Sequence, residues 1–262
     1  MEGFKFGSGK KKPKGVSKNG PQEKRVVLFF RIYWRKFWRM IGLNALYLMM
    51  CIPIVTIGPA TSAFMKILRN YSQERSTFMI ADFFAAFKSN FKQSFIIGLI
   101  DLVLVSVVSG ALYFYFTLAK EKTSFIALMV IMGSVAFVIV TMQFYIFLMI
   151  VSTNLKTSEI LKNSLILSIV ELKTNLITFV FVALIVAVNV LFFPFSAILI
   201  PMFPFALMGL IVAFNCYPII RKHIIQPYYD QKGELNPEFE YLVGTDDSIN
   251  TTFKDSVGIN DK

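Results

Sequence analysis

Four long apolar segments separated by short polar stretches dominate the pattern of the chain. They cover residues 94–118, 124–151, 176–193 and 195–220. Because an α-helix rises about 1.5 Å per residue, a run of about 20 apolar residues crosses the hydrocarbon core of a bilayer. The pattern therefore predicts four membrane-spanning helices, and Pro201 and Pro204 should kink or split the fourth.

A fifth apolar segment, residues 41–58, is shorter and is interrupted by Asn44 and Pro53. It either spans the membrane or enters and returns on the same side. In the second case Pro53 ends the entering helix and Gly58-Pro59 permits a tight turn. Irregular backbone at membrane depth is tolerated only where protein covers it, so the other helices should then pack over this turn.

The composition agrees with a membrane protein. Hydrophobic residues make up 55% of the 262 residues and charged residues only 16%, whereas soluble domains carry about 25% charged residues. One histidine and two cysteines argue against a metal site, a catalytic triad or a disulfide scaffold. The net charge is nevertheless +11, from 27 Lys and Arg against 16 Asp and Glu.

The position of the basic residues distinguishes the two arrangements of residues 41–58. If this segment spans, the basic residues are divided almost evenly between the two sides. If it re-enters, 25 of the 27 lie on one side and only Lys120 and Lys122 on the other. Cytoplasmic loops carry the excess of Lys and Arg. The charge therefore favours a re-entrant hairpin with both termini cytoplasmic, with a fifth span as the alternative.

Three regions follow from this arrangement. We expect residues 1–25 to form a disordered basic cytoplasmic tail, since they have no apolar period. Residues 26–230 form the membrane domain, and residues 231–262 a polar cytoplasmic tail. The basic excess marks a membrane side, so the expected partner is the lipid bilayer and not a nucleic acid. The predicted fold class is an all-α polytopic helical bundle with four spans, the hairpin and amphipathic interfacial helices.

Two amphipathic stretches flank the hairpin. In residues 26–40 arginines recur every four positions among aromatic residues, which predicts a helix in the plane of the interface. The predicted interfacial residues are Arg31, Trp34, Arg35, Trp38 and Arg39. In residues 76–94 phenylalanines recur every four positions, which is typical of another membrane-surface helix or of a docking helix for a partner protein. The candidate docking residues are Asp82, Phe83, Phe84, Phe87 and Phe91.

Two stretches resemble a known family. Residues 53–61 read PIVTIGPAT and residues 82–94 read DFFAAFKSNFKQS, and both resemble the YesL-type family of bacterial membrane proteins, which has no assigned biochemical function. The resemblance extends over about residues 26–230. It implies a multi-pass protein of the plasma membrane of a Gram-positive bacterium, encoded near carbohydrate ABC importers. It carries over no catalytic or ligand-binding residue.

The residues that could carry a chemical function are the polar residues inside the apolar segments. Asp101 is the one acidic residue in the four predicted spans, where a carboxylate costs about 2.5–3.5 kcal/mol and faces the bundle interior or a cavity. It either binds a cation or proton, accepts a hydrogen bond from another intramembrane side chain, or reaches water at the interface. The intramembrane polar residues are Asn44, Asp101, Gln143 and Asn189.

The hairpin motif has two interpretations. Its residues are Pro53, Thr56, Gly58, Pro59, Ala60 and Thr61. They form either a broken-helix site whose backbone binds substrate, as in transporters, or a purely architectural turn. Ser106 and Gly110 form a small-xxx-small pair, which predicts a close helix–helix contact.

Three functions remain. The first is a non-catalytic accessory subunit of a carbohydrate ABC importer that docks on permease subunits. The second is an independent small-solute transporter or channel that uses the broken hairpin and Asp101. The third and weakest is a membrane-embedded enzyme, since the sequence lacks a cluster of histidine and carboxylates. We therefore assign no catalytic, cofactor-binding or metal-binding residue.

Overall fold

The computed structural model describes residues 24–233, and over this range it consists of helices and short connections. The α-helices of this part of the chain are α1 (Arg25–Cys51), α2 (Ile57–Ser72), α3 (Met79–Ser89), α4 (Phe91–Glu121), α5 (Ile126–Ile150), α6 (Thr157–Val170), α7 (Leu172–Leu191), α8 (Pro204–Ile220) and α9 (Gln226–Lys232). One π-helical turn, Arg221–Ile225, joins α8 to α9.

Four helical segments are long and apolar enough to cross a membrane. They are Phe91–Glu121, Thr123–Ile150, Leu172–Leu191 and Pro204–Lys232. Each corresponds to one of the apolar segments of the sequence. The predicted class, an all-α polytopic helical bundle, is confirmed, and the chain is an integral membrane protein.

The fourth apolar segment is interrupted at the prolines, and its helix begins only at Pro204. Residues 192–203 form turns, including the 3-10 turn Phe195–Ile198. Pro204 takes the first position of α8. Its missing N–H costs nothing there, because the N–H of the first helical residue makes no hydrogen bond within the helix. The apolar segment starting at residue 195 is therefore not a continuous helix.

Asn44 of α1 satisfies the backbone groups that this split leaves without helical partners. Its side-chain Nδ2 donates to the carbonyl oxygen of Ile200 at 2.9 Å, and its Oδ1 accepts from the backbone N–H of Ala206 at 3.0 Å. Asn44 is fully buried. The predicted intramembrane asparagine thus joins α1 to the start of α8.

Helices α1 and α2 pack side by side in opposite directions. Near the turn, the Tyr47 hydroxyl lies 3.1 Å from Thr61 Oγ1, and the rings of Tyr47 and Phe64 stack with centroids 4.3 Å apart. At the other end, Arg35 Nη2 lies 2.5 Å from Glu74 Oε1. These contacts form the helical hairpin expected from the sequence.

The entering arm of the hairpin differs from the prediction. Residues 26–40 were expected to form a separate helix in the plane of the interface, but α1 is continuous from Arg25 to Cys51. No proline lies in this range, and the single Gly42 is tolerated in a helix. The helix buries Ile32 and Met40 against the bundle.

Helix α2 is the centre of the bundle. It buries 11 of its 16 residues and packs against α1, α3, α4, α5 and α8. The close approach of α8 depends on Gly209, because a Cβ there would lie 2.4 Å from Leu68 Cδ1. By contrast, α4, α7 and the first half of α5 expose most of their apolar side chains, as helices facing lipid do.

The phenylalanine-rich stretch 76–94 is not one helix. Helix α3 ends at Ser89, Asn90 forms a turn and Phe91 begins α4. The aromatic series nevertheless persists across the break, since the ring centroids of Phe87 and Phe91 are 5.5 Å apart and those of Phe91 and Phe95 are 6.2 Å apart.

The two predicted tails fall almost wholly outside the described residues. Of the 1–25 segment, only Lys24 and Arg25 are described, and Arg25 is the first residue of α1. Of the 231–262 segment, residues 231–233 are described, at the end of α9.

Candidate functional site

The turn between α1 and α2 is short. Pro53 is extended, with φ −76° and ψ 117°, and residues Ile54–Thr56 form a 3-10 turn. Thr56 Oγ1 lies 2.5 Å from the carbonyl oxygen of Met50 and 2.7 Å from that of Pro53. A threonine hydroxyl has one proton to donate, so Thr56 bonds to one of these carbonyls at a time. The bond to Met50, in the last turn of α1, caps that helix.

The prediction that Pro53 ends the entering helix is confirmed, but the position predicted for the turn is wrong. Gly58 and Pro59 are already helical residues in the first turn of α2. Proline is favoured in the first turn because no helical N–H bond is needed there. Thr61 follows in the helix and donates to the carbonyl oxygen of Ile57 at 2.7 Å.

Gly58 has a different role, which is to bring α2 against α4. A Cβ at Gly58 would lie 2.3 Å from the carbonyl oxygen of Ser94, and one at Gly98 would lie 2.9 Å from Gly58 Cα. Glycine at both positions allows the two backbones to touch. Gly58, Pro59 and Ala60 are accordingly buried.

The tip of the hairpin is uncovered, contrary to expectation. Ile52 is 79% exposed and Ile54 70% exposed, so the other described helices do not pack over the turn. The turn tolerates this because its carbonyl groups receive hydrogen bonds locally, including the Thr56 N–H to the Pro53 oxygen at 2.9 Å and the Thr56 hydroxyl.

A cleft of about 640 Å³ lies between the hairpin tip, α4 and α5. We call it the hairpin cleft. Apolar side chains form most of its wall, and four polar side chains line it: Thr61, Asp101, Ser106 and Gln143. None of its described lining residues is basic.

Asp101 and Gln143 form the polar centre of the hairpin cleft. Gln143 Nε2 donates to Asp101 Oδ1, which is one of the partnerships expected for the intramembrane carboxylate. Gln143 Oε1 is buried and has no hydrogen-bond partner within the described chain. Asp101 is partly exposed, so its carboxylate suits a ligand or partner group that donates hydrogen bonds or carries positive charge.

The other predicted intramembrane polar residues lie elsewhere. Asn44 joins α1 to α8, as described above. Asn189 donates to the carbonyl oxygen of Ile185 within its own helix at 2.8 Å. Neither asparagine lines the hairpin cleft.

The predicted interfacial residues and the predicted docking residues differ in how far their side chains are exposed. All five predicted interfacial residues of α1 are exposed: Arg31, Trp34, Arg35, Trp38 and Arg39. In and after α3, Phe84 and Phe91 are exposed, but Phe83 is fully buried and Phe87 packs against the core. Asp82 Oδ2 accepts the backbone N–H of Phe78 at 3.0 Å. Phe83 is therefore a core residue and not a docking residue.

Among the buried polar residues that sequence reasoning missed, Arg69 and Asn175 make hydrogen bonds to other helices or to the chain that follows them. Arg69 is 6% exposed and donates to the Val151 carbonyl oxygen at 3.0 Å and to Ser152 Oγ at 2.9 Å. Asn175, fully buried, accepts from the Tyr145 hydroxyl at 2.5 Å. For Arg69, the only signal in the sequence is its spacing from Lys66, which places both residues on one face of α2.

Among residues 24–233, no group of three or more His, Cys, Asp or Glu side chains is placed to hold a metal ion. The two cysteines of this range, Cys51 and Cys216, are free thiols. His223 Nε2 lies 2.9 Å from Glu171 Oε1 and links the end of α8 to the start of α7.

One family model matches the chain. It is described as "Protein of unknown function, DUF624", and it matches residues 40–114. The match extends from the second half of α1 to most of α4, and so includes the hairpin and Asp101. This part of the chain is therefore similar to an uncharacterised family, and the match does not identify the YesL type specifically. No curated protein and no solved structure matches the chain.

Proposed function

We propose that the chain is a non-catalytic accessory component of carbohydrate ABC import. In this proposal it lies in the plasma membrane of a Gram-positive bacterium with both termini in the cytoplasm. The YesL-type resemblance supports the setting, and the distribution of the 27 basic residues supports the orientation. The partner is a permease subunit that packs against α4 beside the hairpin cleft.

The observation that carries this proposal is that the hairpin cleft is open along one flank of α4. Leu99, Leu102 and Val105 line the cleft and are between about two-fifths and three-fifths exposed. The hairpin tip reaches only about the first third of α4, since Ile54 and Val55 line the cleft with Asp101. Beyond Ile97, no residue of α4 is buried within the described chain.

The small residues of α4 continue this open face. Ser106 and Gly110 were predicted to pack against another helix, yet both are exposed, and a Cβ at Gly110 would meet nothing within 4 Å. Small residues in membrane helices permit close helix–helix contact. The expected contact is therefore absent within the described chain, which is consistent with a partner helix in this place.

A second candidate function is transport of a small solute through the hairpin cleft. The Asp101 carboxylate in the lining of the cleft favours it. A transport path must, however, be shielded from lipid by protein. In a single copy of the chain, the side of α4 that carries Leu99 and Leu102 is not covered by the other described helices. The monomer alone therefore fits this function less well than the docking of a partner.

Site-specific photo-crosslinking in native membranes tests the proposal. A photoreactive phenylalanine analogue at Leu102 should crosslink to sugar permease subunits, identified by mass spectrometry. The same analogue at Val180, which is exposed on α7 and outside the hairpin cleft, is the matched control and should yield far less of these products.

Three results would contradict the proposal. The first is a Leu102 variant that crosslinks no permease subunit. The second is equal crosslinking from both positions, which indicates random collisions in the membrane. The third is a protein purified alone that exchanges solute in liposomes, which would favour the transporter.

A further inference from the structure

One side of the first half of α1 is exposed and combines aromatic with basic side chains. Trp34 is 79% exposed and Trp38 is 81% exposed, whereas Ile32 and Met40 on the other side of the helix are buried against the bundle. No residue of α1 lines the hairpin cleft. We call the exposed side the α1 face, and its residues are Phe30, Arg31, Trp34, Arg35, Trp38 and Arg39.

The aromatic and the basic residues of the α1 face form two adjacent stripes. The aromatic residues recur every four positions, and so do the basic residues, so each set follows one line along the helix. Basic side chains beside large apolar ones are typical of a helix surface that meets lipid headgroups. Tryptophan in particular is enriched at the boundary between headgroups and acyl chains.

The charge of this part of the chain favours an anionic surface, and this does not depend on any one arginine being unpaired. Arg35 contacts Glu74 of the chain itself. Residues 24–39 nevertheless carry six basic residues and no acidic residue, and residues 1–39 carry 12 basic and two acidic residues. A basic segment of this kind is attracted to a leaflet that contains anionic lipids.

The length of α1 matches the thickness of one leaflet. Ile52 at the hairpin tip is exposed, and Trp38 lies about 21 Å along the helix from it. One leaflet with its headgroups measures about 20–22 Å. The tip lies beside Asp101, which is about 15 Å along α4 from Phe91, or about half of the hydrocarbon core. With the tip at the middle of the bilayer, the tryptophans reach the headgroups of one leaflet.

We propose that the α1 face binds the headgroups of anionic phospholipids in the leaflet that the hairpin tip enters. The rings of Trp34 and Trp38 lie at the boundary between headgroups and acyl chains. The arginine stripe contacts lipid phosphates, which guanidinium groups bind well. The α1 face is separate from the hairpin cleft, so the test below does not depend on the proposed role in carbohydrate import.

Tryptophan fluorescence tests the proposal, because the chain has two tryptophans and both belong to the α1 face. The full-length protein is reconstituted in vesicles of equal parts phosphatidylglycerol and phosphatidylcholine, with bromine carried by one lipid or by the other. Bromine quenches tryptophan fluorescence at short range, so the ratio of the two quenching efficiencies measures the enrichment of phosphatidylglycerol at the α1 face. The ratio should exceed one and should fall as salt is added.

Arg39→Gln removes one basic residue of the α1 face and leaves the contact between Arg35 and Glu74 in place. It should lower the ratio severalfold, with about fivefold as the contribution of one basic residue beside an anionic surface. Lys162→Gln is the matched control, since Lys162 is exposed on α6 and lies outside the α1 face. It should leave the ratio unchanged.

Three results would overturn the proposal. Equal quenching by the two brominated lipids would show that the α1 face meets lipid without a preference for anionic headgroups. Quenching by neither lipid would show that the α1 face lies in water. An unchanged ratio in Arg39→Gln, or equal losses in Arg39→Gln and Lys162→Gln, would show that the preference does not arise from the α1 face.

Discussion

Gly58 at the start of α2 touches Gly98 of α4 backbone to backbone, with the position of a Cβ at Gly98 only 2.9 Å from Gly58 Cα. The contact lies about 10 Å along α4 from Phe91, and α4 continues for about 35 Å beyond it. This pair therefore fixes how far the hairpin reaches along the first span, and with it the position of the hairpin cleft.

Gly98→Ala should destabilise the protein. The new methyl group would meet a backbone atom that cannot move without separating α2 from α4, and such overpacking costs about 1–3 kcal/mol. Gly110→Ala in the same helix is the control, since its Cβ meets nothing within 4 Å and alanine favours a helix over glycine. Thermal unfolding in detergent measures both. Equal unfolding temperatures for the two variants would refute the contact.

Asn44→Ala should also lower the unfolding temperature. It leaves the Ile200 carbonyl oxygen and the Ala206 N–H without the side chain that pairs them, and each unpaired buried group costs about 1–3 kcal/mol. Asn189→Ala removes a hydrogen bond within one helix only and should cost less. A larger loss for Asn189→Ala would show that Asn44 does not hold α8 in place.

The sequence predicted those features that follow from one local rule. Long apolar runs predict spans, Pro53 ends a helix because it lacks an N–H, and Asp101 inside a span requires a partner such as Gln143. The sequence placed the hairpin turn at Gly58-Pro59, which is too late in the chain. The error arose because proline and glycine are common both in turns and at other positions, such as the first turn of a helix or a close helix crossing. Gly58-Pro59 has the composition of a turn, but here proline occupies a first helical turn and glycine a helix crossing.

Other features depend on partners far apart in the chain, and no local pattern predicts them. The pairing of Asn44 with residues 200 and 206 requires α1 and α8 to be placed first. The burial of Arg69 follows from the position of the Val151 carbonyl oxygen at the end of α5. In the sequence, Arg69 is one more basic residue in a basic loop.

Cysteine labelling tests the topology. In a variant lacking Cys51 and Cys216, a membrane-impermeant maleimide should label Lys88→Cys only from the cytoplasm and Glu121→Cys only from outside, since both side chains are exposed at opposite ends of the α3–α4 segment. Ile54→Cys, at the hairpin tip, should be labelled from neither side. Labelling of Ile54→Cys from outside, or of Lys88→Cys from outside, would show that residues 41–58 span.

Asp101 provides the sharpest test of the hairpin cleft, because two substitutions separate its charge from its hydrogen bonding. Asp101→Leu removes both, so crosslinking from Leu102 to the permease should fall by about tenfold, as expected for the loss of a hydrogen bond to a charged group at membrane depth. Asp101→Asn keeps an acceptor oxygen of similar size. It should retain most of the crosslinking if the partner offers a neutral donor, and should resemble Asp101→Leu if the partner offers a cation.

Ser134→Ala serves as the control for Asp101, because Ser134 is exposed on α5 and donates only to the Val130 carbonyl oxygen of its own helix at 3.1 Å. Unfolding temperatures of all variants must be compared first, since Gln143 Nε2 loses its acceptor in Asp101→Leu. Gln143→Leu repeats the test from the other side of the pair and leaves the carboxylate in place. If Asp101→Leu and Gln143→Leu both fold and crosslink at the native yield, the partner does not contact the polar centre of the cleft, and the face at Ser106 and Gly110 alone would have to account for docking.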